Sequence, residues 1–252
     1  MSVNEKMTAI ADAIREKTGS TEALTLDDMA LAVQKVFNSG KKAKYDEFWD
    51  VYQDNGNLTQ YSMAFGTTRW NDSNFKPKYD IRPVGDSYGS QMFFDCRMTD
   101  LVAILEGQKV VLDTSLLTGA FNAFYCARTM TKIPELNLMG ITAMQQSFGY
   151  CSELQRIEKI ILNNEGTTTF NANVFVQCKN LEHVIFDGVI GQSGLDLKAC
   201  TKLDKDSLMS VINTLKKYTD GSTHSITFGT TNLNKLTDAE KAIAIEKGWS
   251  LG

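Results

Sequence analysis

The chain has 252 residues, 42% of them hydrophobic, which is enough for a sizeable core in one large domain or two ordinary ones. Its 26 basic and 30 acidic residues leave a formal charge of -4 without long like-charge blocks, which speaks against a nucleic-acid partner. No stretch approaches the roughly 18 apolar residues of a membrane span, so membrane insertion is not expected.

The opening MSVNEKMTAIADAIREKTG carries acidic residues early and no continuous apolar core, so it does not read as a secretory signal. The expectation is synthesis in the cytoplasm without a signal peptide, with release by lysis or incorporation into a virion as routes outward. Val3, Met7, Ile10 and Ile14 recur on one helical face between Ser2 and Lys17, and Gly19 supplies a stop. A second helix begins at a capping box of Thr25 and Asp28, with Leu24 placed to staple Met29, and Val33, Val36 and Phe37 continuing the stripe. These two helices form an element over residues 1–40, whose apolar faces need cover from each other or from a second copy of the chain. Homo-oligomerisation through this element is therefore expected.

Residues 38–42, polar and glycine-containing, read as a linker. An aromatic-rich cap region follows over residues 41–91, in which Trp70, Phe75 and Tyr79 read as packing anchors.

Between residues 92 and 203 a spacing repeats. Phe124, Phe148 and Phe175 are each followed six residues later by Met130, Leu154 and Leu181, and nine residues later by Ile133, Ile157 and Val184. Cys151 and Cys178 stand three places after their phenylalanines, whereas FYCARTMTKI carries Cys126 one place early, with Ala127 at the expected site. MFFDCRMTDL is a more divergent copy, and in LKACTKL Leu197 replaces the phenylalanine while Cys200 and Leu203 keep their places. Successive starts lie 31, 24, 27 and 22 residues apart, centred near the leucine-rich-repeat period. The fold expected is an α/β repeat: a short irregular leucine-rich-repeat solenoid with a parallel strand ladder and helical elements at both ends. Its thiols are small, readily buried side chains, and Phe, Cys, Leu and Ile at these offsets are expected to be core.

Residues 204–252 close the chain. Asp204 or Asp206 can cap a helix running to Lys216 with Leu208, Val211, Ile212 and Leu215 inward, and HSITFG reads as a strand. Thr237 and Glu240 make a capping box, Gly248 sits at a C-cap position, and Trp249 is expected to fold over Ile243 and Ala244.

The units SFGYCSELQRI and VFVQCKNLEHV, and in part QMFFDCRMTDL, resemble the core of the irregular cysteine-containing leucine-rich-repeat proteins of bacterial surfaces. The opening ADAIREKTGSTEALTLDDMA and the closing LTDAEKAIAIEKGWSL are similar to the ends of small prophage and gut Firmicutes members of that type, which are described as tail-associated or surface-related. That resemblance implies adhesion or surface binding without a catalytic centre.

The five cysteines contain no close CxxC or Cys/His pair, so neither a zinc site nor any other cofactor is expected. The two histidines, His183 and His224, stand in unrelated local contexts, and no motif selects a catalytic pair among the acids. The reading is a non-catalytic recognition or structural module that binds protein or cell-surface glycan. Its expected binding residues are Glu135, Asn137, Lys159, Glu182 and His183, on the strands after the repeated turns and on the adjoining loops. The alternatives are a carboxylate-dependent hydrolase and a purely structural virion component.

Overall fold

The computed structural model of the chain describes residues 91–252 continuously and, before them, Asp12, 57–58, Phe65, Ser73, 75–77 and 80–83. The chain divides into two compact units, Met1–Glu47 and Phe48–Gly252, and the fold described here is that of the second. Apart from Asp12, which is helical, the two expected N-terminal helices and their self-association lie outside the described residues, as do the aromatic anchors Trp70 and Tyr79. Phe75, the third anchor, is buried and meets Phe65 edge-on.

Among the described residues the strands are short and all pair in parallel. They are β1 (Asn57–Leu58), β2 (Arg82–Pro83), β3 (Lys132–Ile133), β4 (Leu136–Asn137), β5 (Ala143–Met144), β6 (Arg156–Ile161), β7 (Thr169–Phe170), β8 (His183–Asp187), β9 (His224–Ile226) and β10 (Trp249–Leu251). The four described helices are α1 (Leu101–Gln108), α2 (Lys205–Thr214), α3 (Thr230–Leu233) and α4 (Asp238–Glu246). The largest sheet has β6 at its centre, with β3 and β4 along one side and β8 along the other. Ile133, Ile157 and Val184 are register partners across it, and all three are buried. The nine-residue offset seen in the sequence thus marks neighbouring positions in one ladder.

The expected fold class is nevertheless corrected. The described residues form a mixed α/β unit of small parallel sheets and short helices, and among them there is no curved or closed sheet of a leucine-rich-repeat solenoid. Two features oppose a uniform sheet. Pro134 has no N–H to donate and stands where β3 breaks from β4. The register of β6 against β8 also shifts between Ile157 and Ile160, so two residues of β6 oppose one of β8. Two-residue pairs such as β5 with β7 remain separate sheets.

What the repeated offsets do build is a column of side chains beside the ladder. Phe65, Phe93, Phe124, Phe148 and Phe175 stack in succession, with ring centroids 5.1, 4.9, 5.5 and 5.2 Å apart. The phenylalanine turns close with a left-handed residue two places after the ring: Asp95, Cys126, Tyr150 and Gln177 all have positive φ. The early cysteine, Cys126, therefore occupies the turn's left-handed corner and is half-buried, while Ala127 takes the core position.

At that core position the thiols of Cys151 and Cys178 donate to the carbonyls of Phe124 and Phe148, each at 2.9 Å, one turn back along the stack. Burial pushes the Cys151 and Cys200 thiols well above their ordinary range and the Cys178 thiol up to about 12. Since the thiolate is the reacting form, these three should label far more slowly in the native protein than in the unfolded chain, and Cys126 should label first. Thiol titration at mildly alkaline pH checks this, and rapid native labelling of all three buried thiols would contradict it.

Helices flank the central sheet on both sides. Helix α1, which the sequence reading missed, starts at the N-cap Asp100, whose side chain accepts from the Ala103 N–H, and it buries Leu101 and Leu105. Asp100 bridges to Lys132 of β3. On the far side α2 covers the edge of β8. Its Ser207 and Ser210 hydroxyls accept from the backbone N–H groups of Val184 and Phe186 at 2.9 and 3.1 Å, which satisfies strand donors that would otherwise be left at an edge. Leu208, Val211, Ile212 and Leu215 are buried as expected, with the helix ending at Thr214 rather than Lys216. The ladder resumes after α2, where Leu215 bridges Ile190. Gly188, at the end of β8, has φ of 88°, and a Cβ there would lie 2.2 Å from the Leu162 carbonyl oxygen, so the chain can pass only with glycine.

The C-terminal segment packs onto this frame. Helix α4 carries the expected Thr237–Glu240 capping box, and Gly248 follows it with positive φ. Trp249 is buried after that helix. Its indole N–H donates to the Lys216 carbonyl, and its ring meets Tyr218 and His224.

Candidate functional site

The outer face of the central sheet is polar by alternation: with Ile133, Ile157 and Val184 inward, the residues just before them point the other way. Lys132, Arg156 and His183 are in register on β3, β6 and β8, so they form a row at strand spacing. Helix caps close both ends of it. Lys132 Nζ lies 2.8 Å from the carboxylate of Asp100, the α1 N-cap, and His183 Nδ1 lies 2.6 Å from Asp204, the α2 N-cap. In the middle, Arg156 donates through Nε to Glu158 at 2.7 Å. The row thus reads Asp100, Lys132, Arg156, His183, Asp204, with Glu158 beside its centre.

The cross-influences confirm that these groups share one field. The hydrogen bond and charge of Asp100, with a smaller contribution from Glu158, hold the Lys132 ammonium above its ordinary range. The Glu158 hydrogen bond raises Arg156 further, against partial desolvation, and Asp204 adds to it. For Asp204 burial acts upward, but hydrogen bonds from Ser207 and His183 outweigh it and hold the carboxyl below the usual range.

The bonding leaves specific atoms unspent. Glu158 occupies only Nε of Arg156, so the two terminal amino groups carry no hydrogen bond to the described residues. Lys132 spends one of its three N–H groups on Asp100. Asp204 takes Nδ1 of His183, and Nε2 has no partner among the described residues; in a neutral imidazole that donates from Nδ1, Nε2 is an acceptor.

Of the five binding residues expected from the sequence, His183 alone belongs to the row. Glu135 and Lys159 pair with each other at 3.3 Å farther along the same sheet. Asn137 sits in register with Ile161, itself in register with Asp187, and its side chain accepts from the Met139 N–H. Glu182 is exposed, and its carbonyl accepts from the Asp204 N–H. The reading missed Lys132, Arg156, Asp100 and Glu158. A signal for the first two was present: Lys-Ile, Arg-Ile and His-Val stand at the same place in three successive units, so the polar member precedes each inward residue.

Other chemistry-bearing groups are tied into structure. Ser222 donates to Asp220 and contacts His224 Nε2 at 3.2 Å, so its proton is directed to the acid and the imidazole is not placed to remove it. A cavity of about 10 Å³, lined by Leu117, Ala120, Phe124, Leu136, Ser147 and Phe148 among others, is the size of one water and contains no titratable group. Among the described residues no cluster of three or more His, Cys, Asp or Glu could hold a metal ion, and no helix is long and apolar enough to cross a membrane. No family model, curated protein or solved structure matches the chain.

Proposed function

We propose that this protein is a non-catalytic recognition module, of the bacterial-surface or phage-tail kind, that engages its partner through the outer face of the central sheet. The observation that supports this reading is the row of Lys132, Arg156 and His183, ordered in register with polar atoms left unspent. Such a row suits binding because its side chains are held in place before a partner arrives, which lowers the ordering cost of association. The carboxylates around it serve as caps and counter-ions, and none is paired with a second acid at an enclosed centre.

The test uses the full chain, fluorescently labelled, on whole bacterial cells and on isolated phage tail particles. A Lys132→Gln/Arg156→Gln double variant should retain the wild-type unfolding midpoint, because both residues are substantially exposed, and should lose about ten-fold or more of the bound signal. Equal binding by variant and wild type, or no binding of the wild type to any of these surfaces, would overturn the proposal.

A further inference from the structure

We infer that the ligand of this row is a neutral polyhydroxyl compound, a glycan segment lying across the strands from Lys132 to His183. The inference rests on the proposed recognition role and specifies its chemistry. Charge and hydrogen-bonding capacity point to that class.

The cations of the row, Lys132 and Arg156, are each matched by an acid, Asp100 and Glu158, and the third position pairs His183 with Asp204. The next pair along the face, Lys159 with Glu135, is balanced as well. A polyanion would find its attraction to the two cations cancelled by three carboxylates within the same row. The formal charge of the whole chain, -4, adds nothing in its favour. A polycation meets two matched carboxylates and one in excess, Asp204, whose oxygens already accept from the Ser207 N–H and face His183 Nδ1. An uncharged ligand loses nothing to either.

Hydrogen-bonding capacity narrows the class. The unspent groups are N–H donors on Lys132 and Arg156 and, two register steps away, His183 Nε2, which accepts in the neutral imidazole and donates in the charged one. At strand spacing those steps span about 10 Å. A hydroxyl both donates and accepts, so a chain of hydroxyl groups can satisfy a mixed row without leaving a charge desolvated. The row also lacks what a protein anchor would need. Exposed large apolar residues, among them Leu116, Phe121, Met139 and Tyr150, all lie outside it, and binding energy at protein interfaces concentrates on buried aromatic and Arg anchors set in apolar surroundings. The rings of Phe94 and Tyr125 stack on each other, so they do not offer two free faces as a sugar platform elsewhere on the fold.

The experiment titrates the full chain against neutral oligomers of glucose, galactose, mannose and N-acetylglucosamine, with polygalacturonate and polyglutamate as acidic probes. Binding to at least one neutral oligomer is expected, with an affinity that changes less than about two-fold as salt rises through the range in which exposed charges are screened. Arg156→Gln should weaken it about ten-fold. Binding confined to the acidic probes and lost steeply with salt would overturn the inference, as would neutral binding that Arg156→Gln leaves intact. If no oligomer binds while the row variants still lose capture of cells or tail particles, the polyhydroxyl inference falls and the recognition role stands. If row variants capture those surfaces as the wild type does, the recognition role itself falls.

Discussion

Replacing Phe148 by alanine should cost about 3–5 kcal/mol of stability, the range for removing a buried aromatic ring from a core. The ring is buried and sits within the stacked column, 5.5 Å from Phe124 at 14° and 5.2 Å from Phe175 at 10°. Its removal breaks both contacts at once. Phe148 and Phe124 also line the cavity beneath Leu117 and Leu136, so the vacated volume joins existing space rather than collapsing onto close-packed neighbours. Leucine at the same position keeps most of the volume and should cost less than half as much. Urea unfolding followed by fluorescence and circular dichroism gives both values from the midpoints, provided the slope is unchanged. A loss under about 1 kcal/mol for Phe148→Ala would mean that the column contributes little beyond filling space.

The parts of the fold that were legible in the sequence are those fixed by short, local spacing. The offsets from phenylalanine to leucine and isoleucine placed Ile133, Ile157 and Val184 at equivalent points, and these residues are register partners. The capping box at Thr237 and the inward face of α2 were likewise readable, because each depends on residues within two helical turns. The sheet architecture was only partly so: Pro134 is visible in the sequence, but the other break comes from pairing between distant segments. The β6 bulge exists only in relation to β8. Helix α1 was hidden for another reason: LVAILEGQ is apolar on most sides, so it lacks the stripe that marks a surface helix.

The candidate site was legible only in part. His183 drew attention by its chemistry, while Lys132 and Arg156 looked like ordinary surface charges until the register brought them beside it. Asp204 was readable as a helix cap, but its second role, on His183 Nδ1, joins residues 21 positions apart and cannot be inferred from either neighbourhood. The left-handed corner at Cys126 is similar. A cysteine one place early looked like a slip in the pattern, and in the fold it is the turn's own corner residue with Ala127 substituting in the core.

Asn232→Ala should destabilise the protein by about 3 kcal/mol, from roughly 1 kcal/mol for each of the two N–H donors, shared among three carbonyls, and the one accepting oxygen of a buried amide. Asn232 stands in α3 with no exposed surface, and its Nδ2 lies 3.2, 3.2 and 3.0 Å from the carbonyl oxygens of Leu197, Cys200 and Phe228. One amide thereby ties the last cysteine turn to the C-terminal segment. Its Oδ1 accepts from Lys235 Nζ, which also donates to the carbonyls of Thr201 and Leu203. Two of the three carbonyls keep a backbone partner, since Leu197 still accepts from Cys200 and Cys200 from Leu203. That limits the penalty, and it leaves Phe228 as the carbonyl most exposed to the loss. Asn232→Asp separates donor loss from packing loss, because aspartate keeps the volume and the contact with Lys235 but directs a carboxylate at three carbonyl oxygens. Repulsion from them favours the protonated acid in the folded state, so the deficit of Asn232→Asp should be full at neutral pH and should shrink, relative to wild type, as pH falls through the raised folded value and an O–H donor returns. Chemical unfolding of wild type and both variants at several pH values measures this directly. A deficit below about 1 kcal/mol for Asn232→Ala, or a difference between Asn232→Asp and wild type that grows as the solution is acidified, would show that the amide does not hold these two segments together by donating to them.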